Sequence, residues 1–403
     1  MSGILEGVRV IDLTMWFQGP VAAQHLADLG AEVIHFESTK GGDLARGVRS
    51  IRALPVGDWN QYFLVINRNK KSMAVDLNKP EGRAVMQRLA ARSDVFLTNL
   101  SRKALEKWGC AYDELARINP RLVYAMGSGY GPFGRVTKPS FDLTVQALIG
   151  IMSRLGEPGQ PPIYLGMGSG DAMGGIMAAL GIMLALYARQ STGVGQFLDA
   201  SLYGAQLFMA APTLQAYLAT GERRYVKQQA RRSPRNALWN RYQASDKWLV
   251  VCAHDEGDAF ARLADAIGAP ALVTDARFAS VEARRKNVRA LTEALDKIFR
   301  GRTAAEWATA LRAKGIAASP VGNLADLADD PQAWANQYFM KVHCDEVDRE
   351  VTIRGMPVTF EKTPGEVRSL GPVLGQDTEL ILTETLGYTW DDVGTLKNVG
   401  AIL

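Results

Sequence analysis

Short apolar runs alternate with amphipathic stretches along about the first 130 residues. VRVIDL (8–13) predicts a buried strand, VAAQHLADLG (21–30) a helix closed by Gly30, and AEVIHFE (31–37) the next strand. SMAVDL (72–77) predicts a third strand, and PEGRAVMQRLAARS (80–93) a helix with proline near its first turn. DVFLTN (94–99) and RLVYAMGSG (121–129) predict further strands, separated by helical pattern near 102–118. Such repetition predicts an α/β fold with a parallel sheet covered by helices, whose ligands bind beyond the carboxyl ends of the strands.

The pattern then changes. GEPGQPPIYLGMGSG (156–170) is too rich in Gly and Pro for regular structure, and the Ala-, Leu- and Met-rich run from Ala172 to Arg189 predicts a long core helix. Its glycines and the loop before it argue against a membrane span. FLDASL (197–202) reads as a short strand or the start of a helix, with apolar helical pattern on to about 219. The basic, broken stretch 220–236 marks a boundary near 215. WLVVCAH (248–254) then predicts a strand, DAFARLADAIG (258–268) a helix, 281–315 more helix and GIAASPVGN (315–323) a strand edge, so residues 220–330 form a smaller α/β domain. From 331 to 403 come strand-like VTIRGMPVTF (351–360), a Pro/Gly loop at 363–375 and a closing pair of short helices.

Composition narrows the function. The 403 residues are 47% hydrophobic and 22% charged, with a formal charge of +4. That balance is ordinary for a globular chain and too mild for a nucleic-acid binder; it suits a small anionic ligand held by a few placed cations. Cys110, Cys252 and Cys344 are scattered and form no CxxC pair, which predicts reduced thiols. His25, His35, His254 and His343 form no metal-ligand spacing, so no metal site is expected. The start MSGILEGVRVIDL lacks a signal-peptide pattern, and the expected compartment is the cytoplasm.

Two places invite chemistry. The first strand is followed by TMWFQGP rather than GxGxxG, so although Glu37 ends the second strand where a ribose-binding acid could sit, a nicotinamide-dinucleotide site is not supported. Asp171 lies where the Gly/Pro loop gives way to the long helix, and helix N–H groups and the helix dipole there can hold an anion. Asp is a preferred helix cap. In a chain with no Ser–His or Cys–His pattern the same carboxylate is also a candidate nucleophile, and both readings stay open on local pattern alone. Tyr164, Met167, Met173 and Met177 flank it, as an apolar pocket for an aromatic or branched acid or as core. Arg46, Arg49 and Arg232 are candidate clamps for a second carboxylate.

Taken in order, LEGVRVIDLT…GP (5–20), LADLGAEVIHFES (26–38), NRNKKSMAVDL (67–77), DVFLTNLSRKALEKWG (94–109), GD (170–171), ALYARQSTGVGQFLDASL (185–202) and GPVLGQDTELIL (371–382) resemble family III coenzyme A transferases. That group includes the formyl-CoA and carnitine CoA-transferases and the α-methylacyl-CoA racemases. The resemblance implies that Asp171 is a nucleophile which attacks the carbonyl of an acyl-CoA donor, forms a mixed anhydride and then an aspartyl-CoA thioester, and passes CoA to a carboxylic-acid acceptor. CoA is then a substrate, with no permanently bound cofactor. Gly168, Gly170, Gly174 and Gly175 would let backbone N–H groups approach the oxyanion.

The resemblance also assigns the CoA contacts to Trp16, Phe17, Asn99, Leu100, Lys107, Trp108 and the Lys138–Phe141 neighbourhood. Lys70 and Lys71 form a basic turn suited to the adenosine phosphates. Some members carry an arginine after the acid matching Glu37; Ser38 stands here, with Lys40 as the nearest substitute cation. It implies a Rossmann-like large domain built from residues 1–215 and 331–403 and an interlocked-ring homodimer. A glycine run in the small domain of the formyl-CoA enzymes is missing here, which argues against oxalate or formate. Phe141 replaces the histidine that the racemases need, which disfavours racemisation. An acyl-CoA racemase or isomerase and a non-catalytic CoA-binding subunit remain the alternatives.

Overall fold

The computed structural model describes residues 3–50, 57–134 and 139–403. Lys138 therefore lies outside the described residues. The chain divides into two compact units: Met1–Ile151, Tyr164–Gln215 and Gln332–Leu403 make one, and Met152–Ile163 with Ala216–Pro331 make the other.

In the larger unit β1 (Arg9–Leu13), β2 (Glu32–Glu37), β3 (Lys71–Ala74), β4 (Val95–Thr98), β5 (Val123–Met126) and β6 (Phe197–Asp199) form one sheet in the order β3-β2-β1-β4-β5-β6. Every pair is parallel. This is the doubly wound order, with its crossover reversal beside β1. Because successive side chains point to opposite faces, Val10 and Ile11 bury into different layers. One layer packs Ile11, Ile34, Met73 and Phe96 under the helix Pro80–Ala90 and the chain end around Leu382 and Leu396. The other packs Val10, Val33, Val95 and Val123 under the helices Gln18–Asp28 and Ser169–Thr192. By length and composition the second of these helices could cross a membrane, but Ala178, Ile182, Ala185 and Leu186 are buried against the sheet.

The chain's last segment stitches the β3 edge. Asp377 accepts from the Ser72 N–H at 2.8 Å, Thr378 Oγ1 from Ala74 N–H at 3.0 Å, and the Ala401 carbonyl from Asp76 N–H at 2.8 Å. A separate antiparallel pair, β10 (Phe339–Cys344) with β11 (Arg349–Arg354), follows in the same unit.

The smaller unit holds the antiparallel sheet β7 (Trp239–Gln243), β8 (Trp248–Cys252) and β9 (Ala317–Pro320), in that order. Helices Ala259–Ala266, Val288–Phe299 and Ala304–Ala313 bury Phe260, Phe299 and Trp307 against Tyr242.

Beneath the strand ends of the larger unit lies a fully buried ionic cluster. The register sets Asp12 beside His35 and His35 beside Ser72, so one row of the sheet is polar on one face. Lys70 Nζ donates to Asp12 Oδ2 and Asn67 Oδ1, both at 2.8 Å. His35 Nδ1 lies 3.0 Å from the same Asp12 oxygen, and Thr14 Oγ1 donates to the other. Glu37 accepts from Arg46 Nε and Nη2, from Ser72 Oγ and from Asp43 N–H. Although burial opposes the charge on Asp12, Lys70 and His35 beside it hold its carboxyl well below the usual range. Burial likewise opposes a charged His35, but Asp12 and the other acids raise its pKa to about 9.

Candidate active site

Gly168 takes φ +76°, a left-handed conformation open to glycine, and the helix Ser169–Thr192 begins abruptly after it. The helix thus starts earlier than its apolar run suggests. Asp171 is the third residue inside the first turn, not the cap, and no side chain caps this helix. Its carboxylate is half-buried and, among the described residues, accepts no hydrogen bond. Burial first, and then the nearby carboxylate of Asp142, push its pKa up to about 7. A free carboxylate would be fully ionised at pH 7; this one is balanced near neutrality.

Asp142 opens the helix Asp142–Leu148 and is itself buried. Its Oδ1 accepts from the Gly170 N–H at 3.1 Å and from Gln206 Nε2 at 2.9 Å. A Cβ at Gly170 would stand 2.0 Å from Gln206 Nε2 and 2.3 Å from Asp142 Oδ1, so this position has no room for a side chain. Further along, Cβ atoms at Gly174 and Gly175 would lie 2.9 Å and 2.7 Å from atoms of Gln18; these glycines let the helix Gln18–Asp28 lie close. Gly170, Gly174 and Gly175 do not offer their own N–H groups to an oxyanion. Gly170 N–H is taken by Asp142, and Gly174 and Gly175 lie beyond the four N–H groups that a helix start leaves free.

Around Asp171 the loop after β1 supplies aromatic surface. A Cβ at Gly168 would meet the Phe17 ring at 3.6 Å, and the Phe17 and Tyr62 rings are 5.6 Å apart. Burial and then the Asp171 carboxylate push the Tyr62 phenol well up, which places Tyr62 in the field of Asp171. Trp16 adopts φ +70°, strained for a bulky side chain. Its N–H is held by Asp43 Oδ1 at 3.1 Å, while Asp43 Oδ2 lies 3.6 Å from His35 Nε2. The ionic cluster therefore anchors this loop.

Of the expected CoA positions, Leu100 and Trp108 line a cavity at the strand ends. This cavity, of about 100 Å³, is also lined by Met15, Ser38, Asp76 and Asn78, among others. Lys107 Nζ and Trp108 Nε1 both donate to Asn78 Oδ1, at 2.7 and 3.3 Å. Lys40 is exposed on the loop after β2, near Asp76. Asn99 is used internally: its amide brackets Met15, accepting from its N–H at 3.0 Å and donating to its carbonyl at 2.7 Å. Phe141 stands exposed just before Asp142.

Two expectations, for Lys71 and Lys70, need correction. Lys71 opens β3 at the far edge of the sheet, where Glu32 holds its ammonium at 2.7 Å, and it lines a different cavity of about 1040 Å³. Lys70 is not a surface cation but the buried partner of Asp12. Glu37 is turned inward and fully bonded, so it offers no acid to a ribose. Arg46 and Arg49 are likewise engaged, by Glu37 and Glu346, and Tyr164 and Met167 are exposed rather than core. Sequence reasoning missed Tyr62 and Gln206. Gln146 could have been found, since it follows Asp142 by four residues on one helix face.

The open parallel sheet agrees with what known proteins show. The model of CoA-transferase family III matches residues 5–378. The chain is 37% identical over 345 residues to the acetyl-CoA:oxalate CoA-transferase of Acetobacter aceti, covering 84% of this chain and 86% of that one. It is 33% identical over 403 residues to the succinyl-CoA–D-citramalate CoA-transferase of Chloroflexus aurantiacus, covering 98% and 96%. Among solved structures, a CAIB/BAIF family protein from Brucella suis superposes with a TM-score of 0.82 at 30% identity, covering 95% of this chain and 100% of that one. The chain belongs to CoA-transferase family III, as its sequence motifs implied.

Proposed function

We propose that this protein transfers CoA from an acyl-CoA to a carboxylic acid, with Asp171 as the nucleophile. The observation that carries the reading is a half-buried carboxylate without a hydrogen-bond donor among the described residues, poised near neutral pH beside the strand ends. An Asp171 oxygen adds to the acyl carbon, the C–S bond breaks, and CoA leaves as thiolate. The thiolate then attacks the Asp171 carbonyl carbon of the anhydride, which frees the donor acid and leaves an aspartyl-CoA thioester. An acceptor carboxylate runs both steps in reverse. Protons balance throughout, so no general base is required.

CoA would lie along the strand ends, against Trp16, Phe17, Leu100 and Trp108, with Lys40 and Lys107 toward its phosphates. Lys107 and Trp108 already share Asn78 there. The relatives named for citramalate, oxalate, mesaconate and glutarate support a dicarboxylic acceptor. Similarity to an oxalate enzyme puts oxalate back among the candidates despite the missing glycine run.

A homodimer, interlocked as in the family, would cover a bare stripe on the Asp171 helix: Ile176, Leu180, Leu184 and Tyr187 lie on one face and are 44%, 51%, 60% and 74% exposed. The unpaired thiols suit the cytoplasm.

The test offers succinyl-CoA or acetyl-CoA with a panel of dicarboxylic acids and reads new CoA thioesters by mass spectrometry, with hydroxylamine or borohydride trapping at Asp171. Exchange and an Asp171 adduct are expected. Exchange that persists in Asp171→Ala would overturn the reading. Loss of the α-proton of a 2-methylacyl-CoA to deuterated water, without exchange, would favour a racemase instead.

A further inference from the structure

We propose that Asp142 is a positioning residue: its buried carboxylate grips the first turn of the nucleophile helix and sets against Asp171 a repulsion that acylation relieves. The inference rests on Asp171 being the nucleophile.

The grip is geometric. Asp142 is 8% exposed. Its Oδ1 holds the N–H of Gly170, the residue before Asp171, at 3.1 Å. Gln146 Nε2 donates to both Asp142 oxygens at 3.1 Å and to the Gly166 carbonyl at 3.1 Å, while its Oε1 accepts from Leu165 N–H at 2.8 Å. Gln206 Nε2 completes the cradle at 2.9 Å. One cluster therefore fixes both the loop that leads to Gly168 and the turn that carries Asp171.

The cradle is also neutral. Two carboxamides and a peptide N–H surround Asp142, and no Lys, Arg or His is bonded to it among the described residues. An asparagine could accept from Gly170 and Gln206 equally well, so holding the turn does not by itself require a charge. A buried anion without a cation is unfavourable, and here its field falls on Asp171. Among the described residues, the other groups near Asp171 are Tyr62, from the helix Gln61–Ile66, with Asp43 beyond it, and the neutral Gln18 of the helix packed on Gly174. None is a cation.

Acylation converts Asp171 from an anion to a neutral anhydride, and the charge departs with the thiolate. The aspartyl-CoA thioester is neutral too. A fixed negative charge alongside therefore disfavours the free carboxylate relative to both covalent intermediates and makes its oxygen a stronger nucleophile. The raised proton affinity of Asp171, due to burial and then to Asp142, is the same preference read with a proton.

The experiment compares Asp142→Asn and Gln206→Met with the wild type, reading the pH profile of kcat/KM and the fraction of Asp171 trapped as adduct, with circular dichroism and melting to confirm folding. D142N should move the acid limb down by about one pH unit or more. It should also lower the plateau about tenfold and reduce the trapped fraction. Q206M keeps the charge and loosens the grip, so the limb should stay while kcat falls. A D142N limb at the wild-type pH would overturn the proposal. If D142N does not fold, an unchanged kcat in Q206M would overturn it. A wild type that yields exchange but never an Asp171 adduct fails differently, since it removes the nucleophile reading beneath both.

Discussion

Asp12 and Asp171 are both carboxylates withdrawn from water in the same unit, and their surroundings drive them in opposite directions. Asp12 meets Lys70, His35 and Thr14, and its carboxyl is held low. Among the described residues Asp171 meets no donor but a second acid, and its carboxyl is pushed up to about 7. Burial penalises the charge at both sites; the partners decide the outcome. The first arrangement makes a rigid anchor, which reaches the loop of Trp16 through Asp43. The second makes a group that gains by losing its charge, which is what a nucleophile that forms neutral intermediates needs.

The largest effect should come from Asp171→Asn, which keeps the shape and removes the charge. Exchange should fall on the order of 10⁴-fold or more. The same variant sharpens the comparison through stability. The folded pKa of about 7 lies above the 3.8 of an unperturbed aspartate, so the folded protein binds more protons between them and loses stability as pH rises through that window. The melting temperature of D171N should therefore exceed the wild type's, with a gap that widens from pH 4 to pH 8; a gap independent of pH would count against the assignment.

Lys70→Met removes the cation from Asp12 and should destabilise the protein by roughly 3–5 kcal/mol in urea unfolding. A loss below about 1 kcal/mol would mean that the cluster is not the anchor described. His35→Gln is milder. His35 is raised from 6.5 to about 9, so its contribution is complete below pH 6.5 and lost as pH climbs through 9. The variant should flatten that part of the stability profile. Smallest of all, Lys107→Ala should raise the KM for acyl-CoA by about three- to tenfold with kcat unchanged, as loss of uniform binding does.

How much of this was legible depended on whether the signal was local. β1, β2, β4 and β5 are buried apolar runs and could be read directly. β7, WNRYQ, alternates exposed and buried residues after a basic stretch and was not recognised, nor was β10, whose residues are mostly half-exposed. Asp171 stood out because a Gly/Pro loop meets an apolar helix there. That it lies inside the helix depends on the left-handed Gly168, which no periodicity reports. Lys70 and Lys71 look alike in sequence. Only the register, which sets β3 against β2, sends one inward to Asp12 and leaves the other at the rim on Glu32. Tyr62 and Gln206 gain their roles from distant chain positions brought together, so neighbouring residues carry no trace of them.

The stitching of β3 by Asp377, Thr378 and Ala401 has a consequence for biosynthesis. The sheet of residues 9–126 emerges from the ribosome before residues 377–401 and keeps an open edge until they are made. Residues 216–331, by contrast, have their own core complete before residue 377 is reached. Nascent chains halted near residue 335 should thus expose an unpaired strand and lean on chaperones, while the later-made unit is already protease-resistant.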